Sequence, residues 1–332
     1  MPPHAALMQI LTAKWISSAV SAVAQFGIAD HLEQGPKTIQ QLAEATGTQQ
    51  QALYRVLRAC ASIGIFAELE DGRFENTPLS EPLRTNAVPC VRHMAMMMIE
   101  DWHLKSWAEL PWSMQTGEPA PMKVYGMRGF QYFSQNPEKG VIFNRAMKDI
   151  SQADSPVIAA SYDFSVFQSL VDVAGGLGTL LGAILDRTPS LHGIVFEMPH
   201  VVEQIQREGS IAKWAGRCEA VAGSFFEGVP KSDGYIMKHI LHDWDDESAS
   251  KILAACRKSI LPGGKVLVVD QVVPAGNTPS PSKIMDLEML VAPGGKERTA
   301  QEWDKVFTLS GLKLDRIILT PANQAIIEGS PI

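Results

Sequence analysis

Three things are scarce in this chain of 332 residues: cysteine, basic surplus and long apolar runs. The four cysteines, Cys60, Cys90, Cys218 and Cys256, are widely separated, with no Cys-x-x-Cys pair and no framework spacing. That argues against a disulfide scaffold or a thiolate metal ribbon and fits reduced, mostly buried thiols in a cytosolic protein. Lys and Arg number 29 against 36 Asp and Glu, a net charge of −7, which disfavours a general polyanion-binding surface while leaving room for a local basic face. Nucleic acid is therefore not an expected partner. Stretches such as Ile63 to Phe66 and Val266 to Val269 fall far short of the roughly 20 residues that span a bilayer. At the N-terminus, Lys14 and Trp15 interrupt the apolar pattern, and no charged n-region leads into a continuous apolar stretch. The expectation is a soluble, cytoplasmic protein with no signal peptide and no membrane partner. No internal repeat or low-complexity tract stands out.

What is present divides in two. Hydrophobic residues make up 45% of a chain longer than one ordinary domain, ample for two cores. From residue 5 to 33, Leu7, Ile10, Leu11, Ile16, Val20, Val23, Phe26 and Ile28 fall at helical spacing, and Gly35-Pro36 ends the run. A second helix begins at Thr38 and a third spans Thr48 to Ala61. The segment from Ile63-Gly64-Ile65-Phe66 to Asp71-Gly72-Arg73-Phe74 reads as a hairpin turning at Asp-Gly. Helix, turn, helix and short hairpin is the order of a winged-helix module. Its candidate recognition helix carries Arg55 and Arg58 beside Gln49, Gln50 and Gln51, a thin footprint for DNA. Residues 91 to 160 stay helical and rich in methionine (Met94, Met96, Met97, Met98, Met147), with a break from Gly117 to Pro121, and read more readily as adaptable core than as a ligand pocket.

From Ser169 onward, short apolar runs alternate with helical segments: Leu170 to Val173, His192 to Phe196, Gly234 to Met237, Lys265 to Asp270. This is the pattern of parallel strands covered by helices, with Leu312 to Leu319 and Gln324 to Glu328 as late strands. The domain boundary is placed between residues 160 and 161. The first strand of this half runs into Asp172-Val173-Ala174-Gly175-Gly176-Leu177-Gly178. A glycine-rich first turn lets backbone approach a nucleotide-type cofactor beyond the carboxyl ends of the strands, although glycine there also serves tight strand–helix packing. Glu197, closing the next strand, stands where such folds offer a carboxylate to ribose hydroxyls. Leu181 occupies the place of the third glycine of G-x-G-x-x-G counted from Gly176, which disfavours a nicotinamide dinucleotide and favours S-adenosylmethionine.

The second informative segment is Lys238-His239-Ile240-Leu241-His242-Asp243-Trp244-Asp245-Asp246-Glu247, just after an apolar strand. A group transferred from such a cofactor to a protonated acceptor profits from a nearby base. Histidine suits that role, and His242 is the candidate, with Asp243 the acid beside it. His239 and His242 are three apart, a spacing that also occurs in metal sites, but there is no His-Glu-x-x-His pattern; no metal is expected and His239 reads as structural.

Taken with Phe196-Glu197-Met198-Pro199-His200-Val201 and Pro293-Gly294-Gly295-Lys296-Glu297-Arg298-Thr299, these motifs resemble the class I O-methyltransferases of the caffeic-acid and bacterial polyketide type, over nearly the whole chain. Ala174 departs from the usual glycine, and Glu197 and Ser224 stand where plant members carry aspartate. The resemblance implies an α/β fold: a Rossmann-like seven-stranded methyltransferase sheet (161–332) behind an N-terminal, mainly helical winged-helix dimerisation domain (1–160), in a homodimer. It implies that Asp172, Gly175, Gly178, Glu197, Ser224, Phe225 and Lys238 bind S-adenosylmethionine, released as S-adenosylhomocysteine. It makes His242 the general base, with Glu297 and Asp270 orienting and charge-stabilising it. Glu297 also reads as part of a solvated turn. Trp102, Phe143, Met147, Asp286 and Met289, with Asp243, are candidate contacts to a small aromatic acceptor bearing a phenolic or enolic hydroxyl; Trp102, Phe143, Met147 and Met289 equally fit core packing. Two other functions use the same features. A relative on this scaffold can bind S-adenosylmethionine yet perform hydroxylation, decarboxylation or pericyclic chemistry, and a winged-helix regulator can sense the cofactor on DNA.

Overall fold

A computed structural model describes residues 1–332. The chain forms two compact units with interleaved sequence: Met1–Lys105 with Phe133–Ala153, and Ser106–Tyr132 with Asp154–Ile332. The boundary expected between residues 160 and 161 lies close to the last crossing. The segment Ser106–Tyr132, however, belongs with the sheet rather than with the N-terminal part. It is fastened there by polar contacts, Trp107 Nε1 donating to Glu288 Oε2 at 2.6 Å and Arg128 Nη1 to the Pro293 carbonyl at 3.3 Å.

In the first unit, Thr38 caps the helix Ile39–Thr46 through a reciprocal capping box with Gln41, and Gly47 ends it in the left-handed region. The next helix, Gln50–Ala61, buries Leu53, Leu57 and Cys60, one stripe at i, i+4 and i+7. That stripe meets Val23, Ile28, Leu42, Phe66 and Phe74 in a single core. Strands β1 (Lys37–Thr38), β2 (Phe66–Glu68) and β3 (Arg73–Asn76) form a small sheet in the order β1-β3-β2, and the β2–β3 hairpin turns through Asp71 and Gly72 as the sequence suggests. The long first helix, Pro3–Gln25, keeps Leu7, Met8, Ile10, Leu11 and Trp15 exposed. By length and composition it is apolar enough to cross a bilayer, a stretch the sequence reading passed over because Lys14 and Trp15 interrupt its apolar pattern.

The second unit is built on seven strands: β4 (Ser169–Val173), β5 (His192–Glu197), β6 (Cys218–Ala222), β7 (Ser232–Lys238), β8 (Ile260–Asp270), β9 (Leu312–Leu319) and β10 (Ala325–Pro331). Their spatial order is β6-β5-β4-β7-β8-β10-β9, with β4 to β8 parallel and β10 antiparallel to both neighbours. Successive side chains alternate between two cores. Val171, Val173, Tyr235, Met237, Val266 and Val268 face Ile252, Leu253, Trp303 and Phe307. On the other side, Leu170, Ile236, Leu267 and Val269 face Leu180, Leu181 and Ile184. Each such aliphatic side chain contributes about 1.5–3 kcal/mol by leaving water. Strand β6 has no counterpart in the sequence reading. It is an edge strand paired only with β5, and its half-exposed Cys-Glu-Ala-Val-Ala lacks an apolar run. All four cysteines are free thiols; Cys60, Cys90 and Cys256 are buried and Cys218 is half-buried.

Because β4 pairs with β5 on one side and β7 on the other, the chain's winding reverses at β4. The crevice beyond the carboxyl ends of these strands is where open α/β sheets bind ligands.

Candidate active site

The turn from β4 to the helix Thr179–Arg187 is shaped by backbone that side chains resist. Ala174, Gly176 and Gly178 have φ of 55°, 57° and 79°, all in the left-handed region. Ala174 occupies that region as a non-glycine, which explains why glycine is usual there, and its N–H donates to the Phe196 carbonyl at 2.8 Å. Gly175 is required by contact instead: a Cβ there would stand 2.6 Å from the Asp172 carboxylate. The loop thus wraps closely over a buried acid.

Asp172 is 2% exposed, and its Oδ2 has no hydrogen-bond partner. Burial pushes its carboxyl up to about 7 against the pull of Lys238, with the Glu197 charge adding to the rise. Glu197, at the end of β5, accepts from the backbone N–H of Gly176 (3.1 Å) and of Met198 (2.7 Å). Burial nevertheless raises its pKa, those two N–H groups working against the rise. Lys238 ends β7, and burial lowers its ammonium although Asp154, Asp172 and Asp270 favour the charge. Beyond β6, Ser224 and Phe225 begin a turn in which Phe225 and Phe226 pack edge-on against Trp244, with ring centroids 6.0 and 5.0 Å away. The four strand ends β4 to β7 therefore bring together every residue expected to meet the cofactor.

His242 lies in the single 3₁₀ turn Leu241–Asp243 after β7 and is 7% exposed. Its Nδ1 is 2.8 Å from Glu297 Oε1 and 3.7 Å from Asp270 Oδ1, while its Nε2 is 3.7 Å from Asp243 Oδ1. Of the two carboxylates expected to orient the imidazole, Glu297 alone makes the hydrogen bond. Glu297 itself is 3% exposed, which removes the solvated-turn alternative. Burial disfavours the imidazolium, yet Asp270, Asp243 and Glu297 outweigh it and lift the pKa to about 10. In the same field burial pushes Asp243 up to about 7, with His242 opposing.

The loop carrying Glu297 is pinned to the histidine turn. Lys296 N–H donates to the His242 carbonyl at 2.9 Å, and a Cβ on Gly295 would overlap that same carbonyl oxygen. Arg298, fully buried, donates to the carbonyls of Leu241 and Trp244 at 2.8 Å each and to Asp246 at 3.0 Å. Asp286, on the helix Pro281–Val291, accepts the Glu297 backbone N–H at 2.8 Å, and the Met289 carbonyl accepts those of Gly294 and Gly295. Asp286 and Met289, expected to touch the acceptor, thus hold the loop that presents Glu297. The sequence reading missed Gly295 and Arg298 as supports, although both lie inside a motif it quoted.

Trp102 and Phe143 belong to the first unit. There they form an aromatic group with Phe133: Trp102 meets Phe133 edge-on at 4.8 Å, Phe133 stacks on Phe143 at 5.3 Å and 27°, and Trp102 lies 6.4 Å from Phe143. Met147, one turn beyond Phe143 on the helix Pro137–Ala160, is half-buried.

Comparison with known proteins places the chain in a family. Residues 107–313 match the family described as O-methyltransferase domain, and residues 8–86 match the O-methyltransferase dimerisation domain. The chain is 38% identical over 333 residues to a phenazine O-methyltransferase of Lysobacter antibioticus, covering 100% of this chain and 97% of that protein. The crystal structure of LaPhzM superposes with a TM-score of 0.94 at 38% identity, over all of both chains. An O-methyltransferase from neocarzinostatin biosynthesis, crystallised with S-adenosylmethionine and 2-hydroxy-5-methyl naphthoic acid, superposes with a TM-score of 0.80 at 32% identity, over 95% of this chain and 96% of that one. With both parts of the chain matched to this family's domains and a relative 38% identical over nearly its whole length, this protein belongs to the S-adenosylmethionine-dependent O-methyltransferases.

Proposed function

We propose that the protein methylates a phenolic or enolic hydroxyl of a small aromatic metabolite, with His242 as general base. The observation that carries this reading is the 2.8 Å bond from His242 Nδ1 to the buried Glu297. It commits Nδ1 as donor and leaves Nε2 to take a proton. Small aromatic hydroxyl compounds suit its relatives, a phenazine O-methyltransferase and an O-methyltransferase crystallised with 2-hydroxy-5-methyl naphthoic acid among them.

The residues around β4 to β7 fit S-adenosylmethionine. The orphaned Asp172 Oδ2 and the close Gly175 turn supply an anionic, backbone-lined cradle for the methionine part. Glu197 offers the ribose a carboxylate already oriented by two N–H groups. Ser224 and Phe225 flank the adenine, and Lys238 completes the rim. When bound, the cofactor supplies a methyl group made electrophilic by its sulfonium. The chain's own residues do the rest. His242 accepts the hydroxyl proton in its neutral form, the minor form below its pKa of about 10, and because a phenol has a similar pKa the transfer is close to balanced. Glu297 then offsets the positive charge of the imidazolium, with Asp243 and Asp270 adding to the field.

Trp102, Phe143 and Met147 are proposed to contact the flat acceptor, and the exposed apolar face of the helix Pro3–Gln25 is proposed to seal a homodimer. The test is S-adenosylhomocysteine release over hydroxyphenazines, hydroxynaphthoates, catechols and hydroxyindoles. The reading requires turnover on at least one of them and its loss in His242→Ala, with His242→Gln as the gentler control.

A further inference from the structure

His239 has the backbone geometry of a residue held for a purpose. Its φ of 56° lies in the left-handed region, uncommon for a residue with a side chain and costing on the order of 1 kcal/mol. The conformation stacks its ring on that of His242, with centroids 5.1 Å apart and planes at 27°. The ring's two nitrogens face different partners. Nε2 lies 3.0 Å from Gln324 Nε2, and that same amide atom lies 2.8 Å from Asp154 Oδ2. A carboxylate needs a donor, so the contact to Asp154 identifies the Gln324 atom as the amide nitrogen. An amide nitrogen only donates. His239 Nε2 is therefore the acceptor, and the proton of the neutral ring sits on Nδ1.

That nitrogen, itself without a hydrogen-bond partner, lies 3.5 Å from Asp270 Oδ1. Asp270, at the end of β8, is fully buried, and neither of its oxygens has a hydrogen-bond partner. The other histidine nitrogen within reach, Nδ1 of His242, is already bonded to Glu297. A buried carboxylate with no donor is held at a cost that a facing N–H relieves.

We propose that His239 is a positioning residue for the base: held as its Nδ1–H tautomer by Gln324 and Asp154, it turns that N–H toward Asp270, so that each of the two stacked imidazoles faces its own carboxylate. Asp270 then does not compete for the Nδ1–H of His242, and its charge acts on His242 through space. The inference rests on the reading of His242 as base. The charged groups facing this pair are Lys238 from β7, Asp270 from β8, Asp243 from the histidine turn, Glu297 with Asp286 behind it, and Asp154 at Gln324.

The test needs no acceptor. In ¹⁵N-histidine-labelled full-length protein, two-bond ¹H–¹⁵N correlation spectra report which ring nitrogen carries the proton, and variants assign the signals. At neutral pH, His239 is expected with Nδ1 protonated and Nε2 bare, and Gln324→Leu should shift it to the Nε2–H form. The titration of His242 is read in the same spectra. In His239→Phe, which keeps a ring but no donor, its midpoint should fall by about one pH unit as Asp270 loses the N–H that faces it and draws on that of His242 instead. In His239→Asn, whose amide returns a donor near the Nδ1 position and tolerates the left-handed backbone, it should stay near the wild-type value. An Nε2–H tautomer in the wild type, or an unmoved His242 midpoint in His239→Phe, overturns the proposal; if His239→Phe fails to fold, the midpoint in Gln324→Leu decides by the same shift. Failure of the base reading shows elsewhere, as methyl transfer undiminished in His242→Ala, and leaves the tautomer result standing.

Discussion

Glu297 Oε1 lies 2.8 Å from Nδ1 of His242, whereas Asp270 Oδ1 lies 3.7 Å from the same nitrogen. The two carboxylates are therefore unequal. Glu297→Gln removes the charge and can present the wrong hydrogen-bonding atom to the ring, so kcat should fall by about 10²–10⁴ with little change in S-adenosylmethionine affinity. Steady-state kinetics with calorimetric cofactor titration separates the two. Asp270→Asn, acting through space, should cost less than Glu297→Gln.

Gly295→Ala tests the support rather than the chemistry. Its methyl group would press on the His242 carbonyl, the atom that also accepts the Lys296 N–H. The expected result is a loss of about 1–3 kcal/mol in unfolding free energy, measured by urea titration, with a larger proportional loss of kcat than of cofactor binding.

At the cofactor turn, Gly175→Ala drives a methyl group into the Asp172 carboxylate, which must then shift. Calorimetry should show S-adenosylhomocysteine affinity reduced by about tenfold or more, the equivalent of about 1.4 kcal/mol, while the far-ultraviolet spectrum stays native.

Stability should fall as pH rises. His242 has a folded pKa of about 10 against 6.5 unfolded, so its contribution is complete below 6.5 and lost as pH rises through 10. Asp172 and Asp243, raised from 3.8 to about 7, act in the same direction at lower pH: the folded state holds their protons until pH passes 7. Unfolding free energy of the ligand-free protein should therefore decline by a few kcal/mol between about pH 4 and 10. His242→Gln should flatten the upper part of that decline. Urea unfolding at a series of pH values measures both slopes.

How far the sequence discloses this architecture depends on whether a feature is local. The interior strands β4, β5, β7 and β8 are legible because burial on both faces makes them continuous apolar runs, and the glycine turn is legible because its backbone geometry selects residue types at adjacent positions. Edge strand β6 is not, since Glu219 lies exposed within it. Nor is the place of Ser106–Tyr132, a helical stretch like its neighbours in sequence, which joins the sheet unit through Trp107 and Arg128. At the candidate site His242, Asp270 and Glu297 are found from their motifs, but which carboxylate bonds the ring is a matter of a single ångström. Gln324, 85 residues from His239, carries no signal in the chain that it touches an imidazole.

The most direct test of the account compares wild type with His242→Ala on one accepted hydroxyphenazine or hydroxynaphthoate, following S-adenosylhomocysteine formation in a single turnover with both proteins saturated in cofactor. The account predicts a rate lower by about 10²–10⁴ at neutral pH in the variant, with cofactor affinity unchanged. Equal rates in the two proteins would contradict general-base catalysis by His242.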